Sequence, residues 1–90
     1  MKTDRDIVTV YGRPGCVACR ATTNRFDKYG VEYHYIDLDA PGVNQEPARA
    51  LAQLAGTTAL PLVVVDHPDK GRTVWGGLDI DNIHRLTARG

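Results

Sequence analysis

Cys16 and Cys19 are the only cysteines in 90 residues, and they stand three positions apart. A bridge between them closes so short a loop that it restrains the unfolded chain little, which makes a structural staple a poor explanation for the pair. Redox or metal chemistry fits better. Half of a zinc site would need further ligands, and the chain offers no third cysteine; His34, His67 and His84 lack the spacing of a Cys₂His₂ module. Inert packing of two free cysteines in a core is the remaining bland alternative.

The surroundings of the pair favour redox work. Ile7-Val8-Thr9-Val10-Tyr11 is β-branched and ends in Gly12-Arg13-Pro14-Gly15, a strand followed by a turn. From Cys16 the pattern turns helical, with Ala18, Thr22, Phe26 and Tyr29 on one face and Gly30 at the stop. A cysteine at a helix start meets unpaired N–H groups and a partial positive charge, both of which favour thiolate over thiol. Cys16 is therefore the expected nucleophile. Cys19, one turn further in, can attack a mixed disulfide formed by its neighbour. Arg13 and Arg20 flank the pair and would add positive charge if they point that way.

The remaining elements follow from the same patterns. Val31 to Leu38 alternates as a second strand, with Val31, Tyr33 and Tyr35 opposite Glu32, His34 and Ile36. After the loop Asp39-Ala40-Pro41-Gly42, a helix is expected over Glu46 to Ala55, with Gly56 as its stop. Leu62-Val63-Val64-Val65 reads as a third strand. The turn from Asp66 to Gly71 leads to an antiparallel partner at Thr73-Val74-Trp75. Gly76-Gly77 ends it, and Asp79 is placed to cap a last helix carrying Ile80, Ile83 and Leu86. The order β-α-β-α-β-β-α predicts an α/β fold with a four-stranded mixed sheet flanked by three helices, in one domain over 1–90.

Composition excludes several other classes. Eleven basic residues balance eleven acidic ones, so no net field draws the chain to nucleic acid or an anionic membrane. No apolar stretch approaches the ~20 residues of a membrane span. The start, Met1 to Asp6, has no apolar leader core, and the expected location is cytoplasmic. A monomer is the default expectation.

Several further residues admit two readings. Pro61 either opens an edge strand in the trans form or turns Leu60 toward the cysteines through a cis bond. Leu60 would then offer its backbone to an extended partner, a short form of strand addition. Trp75 is a core residue on a strand, an apolar wall of the site, or both. Gly76 and Gly77 are a strand-ending turn or a place of close ligand approach. Asp79 is a cap first and a ligand contact second, while Arg13 is a solvated turn residue that tunes charge. His67 and His84 read as surface residues, and His34 as satisfied or exposed.

From Thr9 to Leu86 the chain resembles the glutaredoxins. Tyr11-Gly12-Arg13-Pro14-Gly15-Cys16-Val17-Ala18-Cys19 is similar to that family's active-site segment. Leu60-Pro61 resembles its cis-proline element, and Trp75-Gly76-Gly77-Leu78-Asp79 its double-glycine segment. The resemblance implies a thioredoxin-like fold and a Cys16/Cys19 dithiol–disulfide cycle with no bound cofactor. Cys-Val-x-Cys and the tryptophan opening the late segment, with Asp81 six positions on, are most like the NrdH-type redoxins. For those, the resemblance implies electrons from NADPH through thioredoxin reductase and delivery to ribonucleotide reductase or other disulfide-containing proteins. It also implies partner contacts at Arg13, Val17, Ala18, Leu60, Pro61, Trp75, Gly76, Gly77 and Asp79. Gly76-Gly77 and Asp79 are more like the pattern that binds glutathione, so a glutathione-dependent glutaredoxin is the alternative. A redox sensor or an iron–sulfur module is a third reading.

Overall fold

The computed structural model describes residues 5–88; the first part of the leader reading, Met1 to Asp4, lies outside them. Seven elements follow in the expected order: β1 (Ile7–Gly12), α1 (Val17–Lys28), β2 (His34–Asp37), α2 (Glu46–Ala55), β3 (Leu62–His67), β4 (Gly71–Gly76) and α3 (Ile80–Ala88). The strands form one mixed sheet in the order β2-β1-β3-β4. β1 and β2 run parallel, with Val10 beside Tyr35 and Gly12 beside Asp37, and the two remaining pairings are antiparallel.

Alternation along the strands divides the core in two, because successive side chains leave opposite faces of a pleated sheet. Val8, Val10, Val63, Val65 and Trp75 meet Phe26 of α1 and Ile83 of α3 on one face. On the other, Leu62 and Val74 meet Ala48, Leu51 and Ala52 of α2. Phe26, Val10, Val63 and Ile83 are fully buried, each contributing about 1.5–3 kcal/mol of transfer free energy. β3, covered on both faces, is accordingly an unbroken apolar run, Leu62 to Val65.

Local signals end the helices as their chemistry requires. Gly30 and Gly56 take left-handed φ of 73° and 70°. The Val31 and Thr57 N–H groups then reach back to the carbonyls of Phe26 and Ala52, at 2.8 and 3.0 Å. That first bond shortens the second strand relative to expectation. Residues 31–33 close the end of α1 before pairing begins at His34.

Three further expectations are corrected. Tyr29 does not join the inner face of α1: it stands at the helix end, 45% exposed, with the Lys28 ammonium over its ring. Cys19 takes the inner position with Thr22 and Phe26. The β3–β4 hairpin is tighter than the six-residue turn expected, since His67 already pairs with Gly71. His67 is not a surface residue. Its side chain is only 11% exposed, with Nδ1 3.0 Å from the Asp6 carboxylate and Nε2 2.8 Å from the Thr73 hydroxyl. His34 and His84 are exposed.

Candidate active site

Cys16 is the N-cap of α1, in extended conformation, and is joined to Cys19 by a disulfide with Cα atoms 5.2 Å apart. The Cys19 N–H donates to Cys16 Sγ at 3.1 Å, so a first-turn amide of the helix points at the sulfur expected to act as nucleophile. No acidic residue occupies the first turn to offset the positive helix end. Cys16 is half-exposed and Cys19 is 3% exposed. An incoming sulfur can reach the first while the second waits behind it, the asymmetry a nucleophile and a resolving thiol require.

The pair opens onto a cleft of about 230 Å³ bordered by Arg13, Pro14, Gly15, Arg20, Thr23 and Tyr35. A larger groove lies at the far end of β1, near Val8, Gly30, Val31 and Leu86, and includes neither cysteine. Arg13 borders the cleft, and its guanidinium is ion-paired with Asp39, a residue the sequence does not single out. Asp39 is itself positioned by its own N–H, which donates to Asp37 at 2.8 Å. Val17 projects beside Cys16 at 83% exposure, and Ala18 is half-buried.

The second half of the nominated site has a different character. The Leu60–Pro61 bond is cis; Pro61 is fully buried and Leu60 half-buried against the α2 side of the core. The Pro61 carbonyl accepts from the Gly77 N–H at 2.9 Å, tying the two nominated segments together. A Cβ on Gly76 would meet Thr57 Cγ2 at 2.7 Å and the Ala59 carbonyl at 2.9 Å, with Thr57 Oγ1 closer still. The close approach that Gly76 permits is thus made by the chain's own loop. Trp75 lies in the core, 7% exposed, which is the first of its two readings; its indole N–H has no partner among the described residues. Asp79 caps α3. Its two carboxylate oxygens accept from the backbone and side-chain N–H groups of Asn82, at 3.1 and 2.8 Å.

Tyr35 was not nominated. Cross-strand pairing with Val10 puts it on the α1 face, and its position at the open end leaves it 44% exposed. Burial, and then the nearby Asp37 carboxylate, raise its phenol above the ordinary tyrosine value. No signal short of the strand register places Tyr35 beside the cysteines. Among the described residues no group of His, Cys, Asp and Glu is arranged to hold a metal ion, and no helix is long and apolar enough to cross a membrane.

A cysteine pair at the start of the first helix of a thioredoxin-like βαβ unit, with a cis-proline before β3, defines a dithiol–disulfide oxidoreductase. The glutaredoxin family profile matches residues 8–67, and the chain belongs to that family. It is similar to the glutaredoxin-like protein NrdH of Escherichia coli K12, at 32% identity over 79 residues, covering 88% of this chain and 86% of that one. The solved structure of the E. coli NrdH-redoxin superposes with a TM-score of 0.64 over 89% of this chain and 93% of its own. Fasciola hepatica thioredoxin, at 22% identity and a TM-score of 0.65 over 97% of this chain and 82% of its own, shares the fold.

Proposed function

We propose that this chain is an NrdH-type redoxin, which carries electrons from NADPH by way of thioredoxin reductase to protein disulfides, ribonucleotide reductase first among them. The observation that carries this choice of reductant is that the residues of the glutathione-like pattern are engaged within the chain. Arg13 is held by Asp39, both Asp79 oxygens by Asn82, and the space over Gly76 by Thr57 and Ala59. Glutathione, with two carboxylates to satisfy, would have to displace these partners. A protein partner needs only the exposed edge around Cys16 and Val17, with Ala18 beside it, and would pair an extended segment with the Leu60 backbone before cis-Pro61. The E. coli NrdH-redoxin is described as having a thioredoxin-like activity profile, which supports the same assignment.

In this reading the Cys16 thiolate attacks a partner disulfide, and Cys19 then releases the reduced partner and closes the Cys16–Cys19 bond. The reductase restores the dithiol. The protein works as a monomer in the cytoplasm, with no resident cofactor and no nucleic-acid or membrane partner.

The test is NADPH oxidation with a disulfide substrate, using thioredoxin reductase in one reaction and glutathione with its reductase in the other. Turnover in the first alone is expected. Turnover in the second alone would overturn the assignment and make Arg13, Gly76, Gly77 and Asp79 a glutathione site.

A further inference from the structure

We propose that the Tyr35 hydroxyl is the hydrogen-bond donor that stabilises the Cys19 thiolate each time the Cys16–Cys19 bond forms or breaks. The inference rests on the dithiol chemistry of the family and is independent of which reductase feeds it. Its basis is the space above Gly12, the last residue of β1. A Cβ there would lie 2.9 Å from Cys19 Sγ and closer still to the Tyr35 hydroxyl. The sulfur and the hydroxyl therefore both lie within 3 Å of the place of one missing methyl group, with no side chain of Gly12 to keep them apart. Strand register supplies the hydroxyl: Tyr35 pairs with Val10, so its ring passes over Gly12, two residues on, toward α1.

The donor is free for this task. Among the described residues the Tyr35 hydroxyl makes no hydrogen bond, whereas Tyr33 gives its own to Asp27 at 3.0 Å. The other hydroxyl lining the cleft, Thr23, already donates to the carbonyls of Cys19 and Arg20, at 3.2 Å each. A phenol is protonated at neutral pH, and burial and then Asp37 raise this one further, so it can donate there. The charged groups around Cys19 are few. Arg13 and Arg20 border the cleft, Arg13 is occupied by Asp39, and Asp37 acts on the Tyr35 phenol without lining the cleft itself.

In a mixed disulfide between Cys16 and a partner thiol, Cys19 gives up its proton and its sulfur attacks Cys16 Sγ. The Cys16–partner bond breaks, its electron pair leaves on the partner sulfur, and that sulfur takes up a proton. In the reverse direction a reductant thiolate attacks Cys16 Sγ and Cys19 leaves as the anion. Negative charge rests on Cys19 in both directions, at a site 3% exposed to water. An unpartnered buried anion is costly, and a hydrogen bond to a charged group is about twice as strong as one between neutral groups.

The experiment uses Cys16→Ser, which leaves Cys19 as the sole thiol, and follows thiolate absorbance at 240 nm against pH with and without Tyr35→Phe. Phe keeps the ring and removes only the hydroxyl, and the ring is 44% exposed, so the fold is expected to tolerate it. The midpoint for Cys19 is expected to rise by about one pH unit, a tenfold loss of thiolate at a given pH below it, or about 1.4 kcal/mol. In the two-cysteine protein, release of the second thionitrobenzoate from 5,5′-dithiobis(2-nitrobenzoate) reports attack by Cys19; it is expected to slow about threefold, because the more basic thiolate regains part of the loss as nucleophilicity, with the first release unchanged. Tyr35→Leu, which removes hydroxyl and ring together, is expected to match Tyr35→Phe. An unmoved or lowered midpoint in the Phe variant, or a rise seen with Leu alone, overturns the proposal.

Discussion

Gly76→Ala tests whether the double-glycine segment is required by the fold before any ligand arrives. The added methyl would sit 2.7 Å from Thr57 Cγ2 and 2.9 Å from the Ala59 carbonyl. These neighbours cannot retreat cheaply. Ala59 contributes backbone, and Thr57 is anchored because its hydroxyl accepts from the Ala59 N–H at 3.0 Å. The next residue, Leu60, begins the segment that Pro61 ties to Gly77. Forcing one methyl into such a place costs about 1–3 kcal/mol, and in a domain of this length 1 kcal/mol moves Tm by about 4–8 °C. Oxidised Gly76→Ala, followed by circular dichroism without any thiol present, is therefore expected to melt about 10 °C below the parent protein. Removing the Thr57 side chain should restore part of the loss, because Thr57→Ala deletes both clashing side-chain atoms and leaves only the carbonyl. A double-mutant cycle reads this as coupling between the two sites. A parent-like melting point in Gly76→Ala would refute the steric argument, and with it the claim that the chain's own loop already fills the space.

Cys16→Ser should abolish turnover with any disulfide substrate, while Cys19→Ser should retain the first exchange and accumulate mixed disulfides with protein partners, both readable on non-reducing gels and by mass. Asp79→Ala removes the cap of α3 and its bonds to Asn82, and should lower the urea-derived stability by about 1 kcal/mol. Tyr33 carries a phenol raised above its ordinary value by burial first, and then by its bond to Asp27. The folded state therefore holds that proton more tightly than the unfolded state. The resulting stability is complete below the unfolded value of 10.0 and is lost as pH rises through the folded one. Tyr33→Phe should accordingly flatten the fall in stability above pH 10, measured as denaturant midpoint against pH.

The helix stops, the cysteine pair at a helix start and the alternating strands were legible in the sequence because each is a contact between near neighbours. Gly30 and Gly56 end helices through bonds spanning five residues, and Cys16 receives its N–H from three residues away. Glu46 to Ala55 is a helix over the residues that its Pro47 and Gly56 signals bracket. The family motifs are likewise short runs. What surrounds the sulfurs is of another kind. Arg13 finds Asp39 across 26 positions, and His67 finds Asp6 across 61. Gly76 meets Thr57 across the gap between β4 and the loop before β3, and Trp75 turns inward because Val63 opposite it does.

Tyr35 shows the boundary most clearly. Alternation in the sequence assigns it to the same strand face as Tyr33, yet Tyr33 packs on Phe26 and bonds Asp27 while Tyr35 reaches the cysteines. The difference lies only in how far along β1 each one falls, and that is set by parallel register. No period of two or 3.6 residues encodes a register between strands joined by a helix. It is decided by the packing of α1 against the sheet, where one residue of slip would turn every side chain of β2, Tyr35 included, to the opposite face.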